Sequence, residues 1–226
     1  MSLVIDLIII AIIGLFIWKG WRKGLILGVS GILALIIAFT ASGFVARNFS
    51  GEIAPALSPF ISGEVDKAID SAQLKFEADP QGDPVTNISE NAIAELGIFG
   101  TTAAKISGQV TKSVNEAGMR LKEAMEERIT NSLAYALILI VSFILVLILF
   151  TIAANIINVA FKLPGLNLIN GIGGAALGLV KGLFLCFVLA WTIGFLGIII
   201  PSDILRNTVM LSWLMNSNPV SAILGI

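Results

Sequence analysis

Leu133 to Phe161 reads LAYALILIVSFILVLILFTIAANIINVAF, an apolar run without one charged residue. A helix needs about 20 mostly apolar residues to cross a bilayer, so this run suffices, with residues left over for tilt or for projection from the membrane. Working outward, three more stretches qualify. Leu3 to Trp18 is short and contains Asp6, and Leu25 to Ala46 carries no charge. The fourth lies between Leu163 and Ile200, interrupted by Pro164, Asn167, Asn170 and Lys181. It has two readings: one helix beginning near Ile172 with Lys181 inside it, or a glycine-rich re-entrant or interfacial piece near 163–181 followed by a helix from Gly182 to Ile200. The second is favoured, because Lys181 then lies at the membrane surface. The sequence thus predicts an all-α integral membrane protein with about four transmembrane helices and a helical extramembrane loop. Its parts are a helical hairpin over 1–46, a hydrophilic loop over 47–132, the second pair of spans over 133–200, and an interfacial tail over 201–226.

Composition agrees with lipid as the solvent. The 226 residues are 57% hydrophobic and only 13% charged, with a mean hydropathy of +0.96, whereas soluble domains run near half apolar and about a quarter charged. The formal charge of -1 offers no general attraction to nucleic acid. There is no histidine and a single cysteine, Cys186, within an apolar run. This excludes a disulfide framework, a thiolate cluster and every histidine-dependent triad or zinc site. No cofactor or metal is expected, and no residue is assigned to catalysis, so the chain is expected to be a non-enzyme. The first apolar run precedes its basic residues instead of following them, and no small-residue cleavage site ends it, so it is read as a retained membrane helix.

The loop from Arg47 to Ser132 holds most of the charge and the prolines Pro55, Pro59, Pro80 and Pro84. Apolar residues recur within it at helical spacing: Val65, Ile69 and Ala72, then Ile88, Ala92, Ile93 and Leu96. A further helix is predicted from Ile106 through Val110, Val114, Ala117, Leu121, Met125 and Ile129, running on into the third span. Asp79 to Pro84 is turn chemistry, so the loop is expected to fold back as a helical hairpin. Asn87-Ile88-Ser89 matches the glycosylation acceptor pattern, a short and frequent motif that has meaning only in a eukaryotic host.

Orientation follows from basic residues in short connections. Lys19, Arg22 and Lys23 join spans one and two, and Lys162 follows span three. These are expected on the cytoplasmic side, which puts both termini and the large loop outside.

Two constellations remain inside the apolar segments. Gly20, Gly24 and Gly28 are four apart, and Gly174, Gly178 and Gly182 repeat the spacing. Glycines in this register lie on one helix face and let backbones approach closely, the mark of a packing seam within a chain or between protomers. Glycine is also simply common in membrane helices. Asp6 and Lys181 are the ionisable residues nearest hydrocarbon, candidates for an ion path or a buried pair; alternatively, Asp6 sits at the interface and Lys181 snorkels to it. Asn155 and Asn158 are read as interhelical hydrogen-bonding residues.

The order of these features, with Val4-Ile5-Asp6, the Lys-Gly-Trp-Arg-Lys-Gly turn at 19–24, and Leu163-Pro164-Gly165-Leu166-Asn167-Leu168-Ile169-Asn170-Gly171 leading to Gly178-Leu179-Val180-Lys181-Gly182, resembles the bacterial colicin V production protein (CvpA) family. The likeness covers residues 1–46 and 133–200, and the large loop resembles the insertions of longer members. It implies a bacterial inner-membrane protein connected with toxin (bacteriocin) production or export and with envelope homeostasis. We expect an accessory or scaffold whose partners are the lipid bilayer and either further copies of itself or other membrane proteins. The alternative is a small oligomeric transporter or channel, with Asp6, Lys181 and the two asparagines lining its path.

Overall fold

The computed structural model describes residues 2–98, 100–158, 167–195 and 208–217. Their regular structure is entirely helical: α1 Ser2–Ala78, α2 Pro84–Glu95, α3 Gly100–Ala117, α4 Leu121–Asn158, α5 Asn167–Phe195 and α6 Val209–Asn216. Four segments are long and apolar enough to cross a membrane: Leu3–Leu25, Leu27–Ala78, Leu121–Ile152 and Asn170–Ile193. The chain is an all-α membrane protein.

Helix α1 is two arms joined at Gly24, whose φ of 79° and ψ of 176° are not helical. That combination is accessible essentially to glycine alone. Along the first arm, Gly20 lies beside Gly174 and Phe16 beside Gly178 and Gly182, so this arm runs antiparallel to α5. Along the second arm, Gly28 meets Leu177 and Gly31 meets Lys181, so this arm runs parallel to α5. The chain therefore reverses at Gly24, and the predicted hairpin of spans one and two forms with almost no loop.

Phe39 on the second arm fixes the third neighbour. Its ring stands edge-on to Phe184 of α5 at 5.2 Å between centroids and to Phe143 of α4 at 6.1 Å. Edge-to-face pairs of this kind add to simple burial. Ala38, Ala46, Ala136 and Leu139 are fully or almost fully buried around them.

Three expectations need correction. The second span does not give way to a loop at Arg47. The helix continues to Ala78, through Pro55 and Pro59, and extends roughly 48 Å beyond Ala46 at 1.5 Å per residue. Both prolines are exposed, so the carbonyls that lose a helical donor face solvent instead of the core. The helix predicted from Ile106 to Ile129 is two helices. Gly118 at φ 65° ends α3, its amide bonding to the Val114 carbonyl and that of Met119 to Ser113, a left-handed helix cap; α4 alone then enters the membrane. Finally, α5 is continuous from Asn167 to Phe195. Lys181 lies inside a helix, and the favoured re-entrant reading with a helix starting at Gly182 gives way to a single span. Residues 163–166 of that segment, 196–207 and the end of the tail from 218 lie outside the described residues.

The hydrophilic part folds back as expected. Val65, Ile69 and Ala72 of α1, Ala92 and Ile93 of α2, Ile106 and Val110 of α3, and Met125 and Ile129 of α4 share one buried core. Asp83 caps α2, accepting from the Thr86 amide at 2.9 Å and its hydroxyl at 2.7 Å. These hydrogen bonds hold its carboxyl below the usual carboxylate range. Lys122 of α4 pairs with Asp66 of α1 at 2.7 Å, and Lys75 of α1 with Glu95 of α2.

Candidate functional site: the glycine crossing and its polar ties

The site is built outward from Gly24. Where the helix reverses, the Leu25 amide loses its intrahelical acceptor. An amide left without an acceptor costs free energy comparable to a lost hydrogen bond. The side-chain carbonyl of Asn170, from the first turn of α5, accepts this amide at 2.6 Å. A Cβ on residue 24 would collide with that same side chain, so turn and asparagine require each other. Asn170 was not singled out from the sequence. Its signal was there, an asparagine followed by glycine in an apolar run, but nothing in one chain says which amide it serves.

The glycine triplets meet at this crossing, within one chain. A Cβ on Gly20 would run into the Gly174 carbonyl and stand 2.9 Å from the Gly178 Cα. One on Gly174 would stand 2.8 Å from the Gly24 Cα, and one on Gly178 would strike the Phe16 carbonyl. Gly28 makes room for Leu177, and Gly182 for Phe16. Backbones that touch in this way gain dispersion contacts along their length, the main attraction between helices in lipid.

Asp6 is at the other end of the first arm. Its carboxylate accepts the Val209 amide at 3.0 Å and the Met210 amide at 2.9 Å, the free donors of the first turn of α6. Negative charge is favoured there by the orphan N–H groups and the helix dipole. Leu211, Leu214 and Met215 of α6 are buried against Ile9, Cys186 and Ala190, so the tail helix is tied to the bundle by one carboxylate and an apolar face.

Lys181 is half-buried, its Nζ 3.4 Å from where a Gly31 Cβ would stand. Gly31 lies seven residues from Gly24, or about 10 Å along the helix. Lys181 shares a cavity there with Lys19 and Lys23. Arg22 instead lies over the Trp18 ring, 5.2 Å from its centroid, within cation–π range. Asp6 is thus held at the start of α6 and Lys181 beside Gly31 of the second arm, so the structure does not bring the two together. Asn155 and Asn158 fall in the last turns of α4, where the structure describes the backbone alone, and Lys162 lies outside the described residues. Among the described residues no group of three or more histidine, cysteine, aspartate or glutamate side chains is placed to hold a metal.

Neither a curated protein nor a solved structure matches the chain. A family model described as colicin V production protein matches residues 5–74 and 98–219. The match reaches well beyond the two ends that the sequence motifs suggested, into the later part of α1, α3 and the start of α4. Residues 75–97, between the matched stretches, are the tip of the hydrophilic hairpin: the end of α1, the turn and α2. With the Lys-Gly-Trp-Arg-Lys-Gly reversal, the Asn170 tie and the glycine crossing all inside the matched stretches, the chain belongs to the colicin V production protein family.

Proposed function

We propose that the chain is a non-enzymatic accessory or scaffold of a bacterial cytoplasmic membrane, serving toxin production or export and envelope homeostasis through contacts with membrane proteins or with further copies of itself. The observation that carries this reading is how the intramembrane polar groups are used. The carboxylate of Asp6 and the amide side chain of Asn170 are both engaged in ties within the chain, and the glycine faces are covered by one another. A conduit needs polar groups that continue across the bilayer; here Asp6 is occupied by the α6 amides, and Lys181, on α5, stands instead beside Gly31. We take the substantial folded body around Val65, Ile93 and Met125 to lie outside the bilayer. In the orientation we infer, Lys19, Arg22 and Lys23 face the cytoplasm and the body over 47–132 is extracytoplasmic.

Complementation tests the reading. In cells lacking their own family member, the intact chain should restore bacteriocin export and envelope resistance. Val65→Asp, which puts a charge in the extramembrane core, should insert in the membrane normally yet fail to complement. Full complementation by Val65→Asp would show that the extramembrane body is not the working part. Ion or solute flux through proteoliposomes that rises with protein content would replace the scaffold reading with the conduit.

A further inference from the structure

Between the two arms of α1, α4 and α5 lies a cavity of about 150 Å³, against the ~10–15 Å³ that holds one water by the same measure. Its lining separates into two chemistries. Lys19 and Lys23 come from the first arm beside the reversal and Lys181 from α5, while Leu27 of the second arm and Leu147 and Phe150 of α4 supply an apolar wall. Among the described residues no carboxylate lines it, and the ion pairs Lys67–Glu64, Lys75–Glu95, Lys112–Glu116 and Lys122–Asp66 lie in the hydrophilic body. Lys19, Lys23 and Lys181 share this lining, so their like charges repel. Three lysines, one of them on a membrane span, gathered with no acidic side chain among the described lining residues, form an arrangement that a bound anion would relieve. Gly31 contributes by absence, since a larger side chain there would occupy the space beside the Lys181 ammonium.

We propose that this cavity binds the phosphate headgroup of an anionic phospholipid from the leaflet on the side of the Gly24 reversal. The lysines take the phosphate oxygens, and the apolar wall of Leu27, Leu147 and Phe150 continues along the acyl chain. Basic pockets between membrane helices are suited to such headgroups. The apolar half of the lining selects a lipid over a free phosphate, whose ions have no use for it. The site is independent of the scaffold reading, since it requires only that the chain spans the membrane.

The test uses the full chain purified in detergent, with retained lipid measured by native mass spectrometry after exposure to phosphatidylglycerol or phosphatidylcholine. Each lysine near an anionic lipid contributes about fivefold in affinity. Wild type should therefore retain phosphatidylglycerol at least tenfold over phosphatidylcholine, and Lys19→Gln alone should weaken retention by about fivefold. Lys181→Arg, which keeps the charge, should retain the lipid, and Gly31→Val, which keeps all three lysines but fills the space, should lose it. Lys67→Gln with Lys112→Gln, on the extramembrane body, should change nothing. Equal retention of both lipids by wild type, or undiminished retention in Lys19→Gln and Gly31→Val together, overturns the proposal. Displacement of the lipid by inorganic phosphate at comparable concentration would also overturn it, by assigning the site to free phosphate.

Discussion

The side-chain carbonyl of Asn170 accepts the Leu25 amide at 2.6 Å, so that a residue at the start of the last membrane span completes the reversal between the first two. The interaction joins positions 145 apart in the chain and supplies the acceptor that the glycine turn removes. Asn170→Leu removes that acceptor and should cost about 0.5–1.5 kcal/mol, the net worth of one hydrogen bond. Thermal or denaturant unfolding in detergent micelles would show it as a lowered midpoint with unchanged helix content.

The crossing itself is more demanding. Gly20→Leu or Gly174→Leu puts side-chain atoms where a neighbouring backbone already lies, and overpacking of this kind typically costs about 1–3 kcal/mol. Gly14→Leu, on the same arm but with nothing within 4 Å of its Cβ position, should be tolerated. Expression and thermal stability of the three variants, compared in one detergent, separate a packing seam from glycines without a task.

Asp6 offers a sharper distinction between structure and transport. Removing its carboxylate in Asp6→Ala frees the Val209 and Met210 amides, a capping loss of about 0.5–2 kcal/mol. Hydrogen exchange should accelerate at those two amides and leave the α1 and α5 crossing protected. Equal protection in wild type and variant would mean that the tail helix is not held by Asp6.

Acid should loosen the tip of the extramembrane hairpin locally. The folded-state carboxyl of Asp83 is lowered by its hydrogen bonds to Thr86, so its contribution is fully present above the unfolded carboxylate range and is lost as pH falls through the lower folded value. Exchange at the first turn of α2, relative to its intrinsic rate at each pH, should therefore stay slow through mildly acidic pH and rise only as pH falls through that lowered range. In Asp83→Asn the amide side chain still reaches Thr86 but carries no titrating charge, and that rise should disappear.

Much of this was legible in the sequence, for reasons that differ by element. Span length and the buried positions of the hairpin, such as Val65, Ile93 and Met125, follow from local periodicity, which solvent and lipid both enforce. The break at Gly118 was hidden because the apolar spacing on its two sides is in phase. The continuity of α1 past Ala46 was hidden because Pro55 and Pro59 argue for a loop unless it is known that they face solvent. The roles of Asp6 and Asn170 depend on amides 203 and 145 positions away, and no local pattern carries that information. The glycine triplets were visible as seams, but only the fold decides that each is the other's partner.

The account rests most heavily on a chain that reverses at Gly24 and so presents 19–24 and the body over 47–132 to opposite sides of the membrane. Single cysteines at the exposed positions Lys19, Ser71 and Asn115, in a Cys186→Ser background, can be tested in intact cells with a membrane-impermeant thiol reagent. The account predicts labelling of Ser71→Cys and Asn115→Cys from outside and protection of Lys19→Cys until the cells are lysed. Labelling of Lys19→Cys together with Ser71→Cys in intact cells would contradict it, by placing the reversal and the extramembrane body on the same side.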